Sequence, residues 1–188
     1  MGCLCGAAGR LWRPEGPCRE PERLLAECGA MAAPSVEAAL SALTAERACT
    51  AGERLYVKTG LRGVRGEAAD GFPAVSRVGL PALRAAVKAG ASLEEAGTAA
   101  LTALMAHTVD TNLIARGGPE GQRWAAEQAG RLCRRGPVPD RAALEALDRA
   151  MIGKNLSPGG CADLLAIVYF SYFLSQNGDH AAEAPAFV

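Results

Sequence analysis

"NLSPGGCADLLAIVYFSYFLS", residues Asn155–Ser175, places a turn of Asn, Ser, Pro and two Gly directly before the most apolar segment of the chain. From Cys161 to Ser175 apolar residues fall on every side of a helical wheel, the pattern of a segment buried in a core. The segment is too short to cross a bilayer, which takes about 20 apolar residues. It reads as the central helix of a globular protein.

The segments around it read the same way. The chain is rich in Ala and Leu and poor in β-branched residues, so helix is the default throughout. "SLEEAGTAALTALMAH" opens with a capping box, Ser92 with Glu95 three residues on. Its helix is expected to continue through "TVDTNLIAR" and to halt at Gly117-Gly118. Pro119 then starts another, closed by Arg131, Arg134 and Arg135 in its last turn and by Gly136. Asp140 caps a helix reaching Ile152, and the apolar helix follows Gly160 and stops at Asn177-Gly178. Earlier in the chain one helix is expected over Glu20–Ala32, ending before Pro34. Ser35 then caps a second, running to about Cys49. Pro81 and Gly90 bracket a further one. Between them, Thr50–Ser76 holds five glycines and a proline and reads as a long functional loop. The expectation is an all-α bundle in one domain, 1–178, with a loose tail over 179–188.

Bulk composition narrows the function. At 188 residues the chain can bury roughly 70% of the surface its unfolded form exposes, enough for a real core. Twenty basic residues balance twenty acidic ones, which argues against a general nucleic-acid or membrane-surface binder. A local basic pocket for a phosphorylated small molecule stays open. The seven cysteines are scattered and no secretory signal is visible, so they read as reduced thiols in a cytoplasm. His107 and His180 lie near no paired-cysteine spacing, so a structural zinc site is not expected. Gly2, Cys3 and Cys5 imitate an acylated N-terminus, but Gly6 stands where that pattern wants Ser or Thr. "GCLCGAAGRL" reads instead as the apolar end of a helix that begins too late to be whole.

Three constellations could carry chemistry. In "KTGLRGVRGEAADGFP", Lys58, Arg62 and Arg65 alternate with glycines and are followed by Glu67. Guanidinium groups favour phosphate, and glycines let the backbone approach a ligand; the same residues also read as a solvated polar loop. In "HTVDTNLIARGG", Asp110 and Asn112 sit among Leu104, Met105, Val109, Leu113 and Ile114. A carboxylate there must be exposed, paired or bound to a cation, and Arg116 is a candidate partner in a structural salt bridge. In the opening stretch, Asn155, Ser157, Gly159 and Gly160 lead into a helix N-terminus, a natural anion site. Asp163 either complements that helix dipole or binds magnesium held on a phosphate. No Walker or Rossmann glycine pattern is present. Together these residues describe a cradle for magnesium and a polyphosphate.

"RGVRGEAADGFP", "LMAHTVDTNLIARGG" and "NLSPGGCADLLA", in this order and spacing, resemble the triphosphoribosyl-dephospho-CoA synthase family. The resemblance runs from "GCLCGAAGRL" to about Leu174 and corresponds to the C-terminal two-thirds of such a synthase. It implies an all-helical fold and a pentosyl transfer. ATP loses adenine, and its triphosphoribosyl group passes to the 2′-hydroxyl of 3′-dephospho-CoA. The product is the prosthetic-group precursor of citrate lyase or malonate decarboxylase. Asp110 and Asp163, each a lone acid in an apolar helix beside a Gly-rich turn, are expected to converge on one magnesium ion, with Arg65 and Arg116 on phosphates of ATP and Glu67 as the candidate base on the ribose hydroxyl.

Two motifs that the family carries ahead of "GCLCGAAGRL" are not among these residues, so the chain alone is expected to release little adenine. Its exposed apolar stub is expected to promote homodimers or to take up a missing N-terminal segment in trans. Two other readings stand beside this one: a non-catalytic helical nucleotide-binding remnant, and a different magnesium-dependent nucleotide hydrolase.

Overall fold

Capping side chains set most of the helix starts. A computed structural model of the chain describes residues 2–14 and 18–176. Among the described residues the helices are α1 (Gly2–Arg10), α2 (Pro21–Ser41), α3 (Ala51–Thr59), α4 (Gly63–Ala69), α5 (Leu80–Lys88), α6 (Leu93–His107), α7 (Thr111–Cys133), α8 (Arg141–Gly153) and α9 (Gly159–Gln176). A π-helical stretch, Val75–Gly79, runs straight into α5. Ser92 accepts the Glu95 N–H at 3.2 Å while Glu95 accepts the Ser92 N–H at 2.8 Å, so the expected box starts α6. Thr50 and Glu53 make the same box at α3, and Asp140 caps α8 through the Ala143 N–H at 2.9 Å. The expected tail over 179–188, and the stop at Asn177-Gly178, lie outside the described residues.

α6 packs against α5, α7, α9 and the π-helical stretch. Small residues on several of its sides, Ala96, Ala99 and Ala100 among them, let these neighbours approach closely. α9 touches α2, α4, α5, α6 and α7, as a central helix should. Its burial is nonetheless one-sided. Cys161, Leu164, Ile167, Val168 and Ser171 face the core, whereas Phe173 is 46% exposed. α1 lays Leu4 and Ala7 into the same core, alongside α2.

Three expectations are corrected. Pro34 does not end a helix: α2 runs through it to Ser41, and Ser35 caps nothing. Pro34 and Ala30, whose carbonyl loses its N–H partner, are both exposed, so water can take the place of the missing bond. The stretch Thr50–Ser76 is not a loop either. It folds into α3, α4 and the start of the π-helical stretch, and only Gly60, Gly63 and Gly71 of its glycines, at the helix ends, take positive φ.

The third correction concerns α6, which stops at His107 rather than running through "TVDTNLIAR". Thr108 turns extended, and Gln122 clasps the break by accepting the Asp110 N–H at 3.0 Å and donating to the Thr108 carbonyl at 3.0 Å. The halt expected at Gly117-Gly118 is present as a kink within α7, where Gly118 has φ 65° and ψ −176°. Only glycine adopts that conformation readily. The kink also makes room for Leu156: a Cβ on Gly117 would lie 2.3 Å from a Leu156 methyl.

Candidate active site

Asp110 is the pivot of the site. It is 2% exposed and stands at the N-cap of α7, not inside a helix as the sequence suggested. One carboxylate oxygen accepts the Asn112 and Leu113 N–H groups at 2.8 and 3.3 Å. The other accepts the Cys161 N–H, in the first turn of α9, at 2.8 Å. A single buried charge thus caps two helix N-termini and is held by their N–H groups. Arg116 is not its partner; that guanidinium donates to the Asn155 side-chain oxygen at 3.1 Å.

The two glycines of the opening stretch serve this clasp. A Cβ on Gly160 would lie 3.0 Å from the Asp110 carboxylate, and one on Gly159 only 2.7 Å from the Asn112 amide nitrogen. Asn112 in turn donates to the Ser157 carbonyl at 3.1 Å. The protein's own side chains therefore occupy the space that the glycines clear, and Asp110 already takes one of the N–H groups of the expected anion site.

The basic segment packs opposite. Arg62, at the N-cap of α4, is ion-paired with Asp70 at the helix's other end. Arg65 reaches back to Glu53 of α3, with both guanidinium nitrogens 3.3 Å from one carboxylate oxygen. Glu67 points inward and is half-buried, accepting the Ala74 N–H at 3.0 Å. Burial pushes its carboxyl above the usual carboxylate range; the Ala74 bond opposes this, Asp70 adds to it and Arg62 counters.

Two adjoining cavities open between these elements. One, about 410 Å³, is lined by Glu67, Asp110 and Cys161 together with Arg77, His107 and Thr108. The other, about 430 Å³, is lined by Arg65, Glu53, Asn112, Gly159 and Asp163. Arg62, Gly63, Thr111 and Gly160 border both. Each lies in the size range of small-molecule sites. Of the residues singled out from sequence, Glu67, Arg62, Arg65, Asp110, Asn112, Asp163, Gly159 and Gly160 come together here. Lys58, exposed in the last turn of α3, lines neither cavity, and nor do Arg116, Asn155 and Ser157.

Arg77 and Thr111 were not foreseen, and His107 was set aside as an ordinary helix residue. The signal at Arg77 was weak, because only the π-helical widening turns that side chain toward the cavity; such widenings recur at functional sites.

The donor set does not build a metal cage. Among the described residues no three His, Cys, Asp or Glu cluster closely enough to hold an ion. Among the described residues Asp163 has no hydrogen-bond or ion-pair partner, and it lines the second cavity, whereas Asp110 has one acceptor position left after its three N–H bonds. These two fit an ion that arrives already bound to phosphate, which needs only one or two protein carboxylates.

A family model described as ATP:dephospho-CoA triphosphoribosyl transferase matches residues 2–181. The chain belongs to that family. A 2-(5''-triphosphoribosyl)-3'-dephosphocoenzyme-A synthase of Pectobacterium atrosepticum is 45% identical over 92% of this chain and 56% of its own length. Probable synthases of the same name from Citrobacter koseri and Vibrio cholerae are 39% and 40% identical over 94% of the chain, covering 58% and 57% of their own lengths. The chain thus spans just over half the length of the curated relatives it matches. No solved structure gives a significant match. Within this transferase family chain, Asp110 and the glycines of α9 stand where the second and third motifs meet, and Glu67 belongs to the first.

Proposed function

We propose that this chain carries the site at which the triphosphoribosyl group of ATP is transferred to the 2′-hydroxyl of 3′-dephospho-CoA. The observation that carries the reading is the pair of adjoining cavities, one holding the half-buried Glu67 and the other flanked by Arg65, Arg62 and Asp163. Two substrates that must react need two sites with a common wall.

In this reading the triphosphate lies along the second cavity. Arg65 and Arg62 exchange their present partners, Glu53 and Asp70, for phosphate oxygens through charge-assisted hydrogen bonds. Magnesium, if bound there, would neutralise part of the triphosphate charge, with Asp163 as the carboxylate that lines this cavity and Asp110 lining the adjoining one. The ATP ribose sits at the shared rim by Gly63, Thr111 and Gly160, where its C1′–N9 bond breaks. Adenine leaves with the electron pair and takes up a proton. The acceptor oxygen forms the new bond to C1′ and gives its proton to Glu67. Burial raises the proton affinity of this carboxyl, which suits a group that must take up that proton. Asp110 acts as a positioning residue. By fixing the starts of α7 and α9 it sets the rim, and its negative charge favours the positive character that develops at C1′.

Simultaneous binding tests the reading. In calorimetric titrations, 3′-dephospho-CoA should bind the ATP-saturated protein about as well as the free protein. Strict competition between the two would overturn the proposal. So would release of phosphate in place of adenine when both are supplied with magnesium.

A further inference from the structure

A third cavity, about 550 Å³, lies against the second half of α7 and meets the Glu67 cavity at His107, which lines both. Arg123, Arg131 and Arg134 line it against a single acid, Glu127. Their spacing of eight and then three residues puts the three arginines on one face of the helix. Arg131 donates to the Gln128 amide oxygen at 3.3 Å, and among the described residues none of the three forms an ion pair with Glu127. All three are exposed.

Helix stability explains only part of this stripe. Arg131 and Arg134 sit at the C-terminal end of α7, where positive charge offsets the helix dipole. Arg123 does not. It lies ten residues before the end of α7 at Cys133, beyond the reach of that dipole effect. A concave surface lined by uncompensated guanidinium groups concentrates anions, and guanidinium pairs suit phosphate oxygens.

We propose that this groove binds the diphosphate of the acceptor, 3′-dephospho-CoA. The assignment of the ligand rests on the transferase reading; the anion site itself does not. The acceptor hydroxyl and the diphosphate hang from one ribose, so the enzyme must hold an anion one sugar away from the oxygen that Glu67 deprotonates. The groove adjoins the Glu67 cavity at His107 and shares no lining residue with the cavity of Arg65. ATP and the acceptor thereby receive separate phosphate sites on either side of the reacting atoms.

The experiment titrates inorganic diphosphate, 3′-dephospho-CoA and ATP separately into the wild-type chain and the Arg123→Gln/Arg131→Gln variant, with helix content checked by circular dichroism. The double variant should lose at least about tenfold in affinity for diphosphate and for 3′-dephospho-CoA, with ATP unchanged. Glu127→Gln should tighten diphosphate binding, an outcome that misfolding cannot imitate. Unchanged diphosphate affinity in both variants overturns the site. Equal losses for ATP and 3′-dephospho-CoA overturn the separation of the two phosphate sites. If the variants alter diphosphate binding while 3′-dephospho-CoA does not bind wild type at all, the groove stands as an anion site. The acceptor assignment, and the transferase reading behind it, then fall.

Discussion

Glu67 and Asp110 are both carboxylates in the same cavity, yet their surroundings give them different work. Asp110 accepts three N–H bonds, whereas Glu67 has one N–H donor and a half-buried, poorly hydrated position. Because Glu67 holds its proton more tightly when folded than when unfolded, the folded state binds more protons between the ordinary carboxylate pKa and the raised one. Stability therefore falls as pH rises through that window. Glu67→Gln removes the ionisation, so its stability should decline less than that of wild type as pH rises from the ordinary carboxylate pKa through the raised one. Denaturation midpoints measured across that range check this; parallel profiles for the two proteins would refute it.

At Asp110 the expected effect is on folding itself. Asp110→Ala strands three N–H groups at two helix starts and should destabilise by about 2–4 kcal/mol, with Asp110→Asn recovering part of the loss. Urea unfolding distinguishes the two, and an Ala variant as stable as wild type would remove the pivot role.

At the scale of elements, α2 and α7 each contain a proline and resolve it differently. Pro34 is carried inside α2 on a face open to water, so the helix tolerates the missing bond without bending away from the core. Pro34→Ala restores the N–H and should stabilise the protein by about 1–3 kcal/mol, the helix-interior penalty less the entropy that proline removes from the unfolded chain. That corresponds to a rise in Tm of roughly 2–4 °C per kcal/mol for a chain of this length. In α7 the break falls at Gly118, and Pro119 starts the next segment. Gly118→Ala should cost about 1–3 kcal/mol through backbone strain alone. Gly117, next to the kink, leaves the space that Leu156 of the turn before α9 fills, so strain at Gly118 should be felt in that turn. The same variant should therefore weaken ATP binding as well as stability, which a thermal scan paired with a titration will show.

For the whole molecule, a single core joins α1 to α9 and sorts the seven thiols, all of them unpaired. Cys3, Cys5 and Cys49 are exposed, while Cys28 and Cys161 are buried. Burial pushes the Cys28 thiol up to about 11 and the Cys161 thiol up to about 12, so neither is a thiolate near neutral pH. A brief iodoacetamide pulse followed by mass spectrometry should label Cys3, Cys5 and Cys49 and spare Cys28 and Cys161 until denaturant is added. Rapid native labelling of Cys161 would mean that the wall beside Asp110 opens far more often than this packing allows. Among the described residues no helix is long and apolar enough to cross a membrane.

Local sequence determined the all-helical class and several helix ends. Ser92 with Glu95, Asp140, Pro119 and the glycine at 90 act within a few residues of themselves, so their effect can be read without knowing the fold. The motif residues that now line the cavities were legible for the same reason, as charges and glycines out of place in an Ala- and Leu-rich chain. Tertiary structure decided the rest. Whether Pro34 ends a helix depends on which face meets water, and whether Asp110 lies within a helix or caps one depends on Gln122 and on the distant N–H of Cys161. Glycines that sequence assigned to an approaching phosphate make room for Asn112 and Asp110. Arg77 and the stripe at Arg123 gain meaning only from the cavities they face. Each of these outcomes turns on contacts between residues far apart in the chain, and a pattern confined to neighbouring positions holds no information about them.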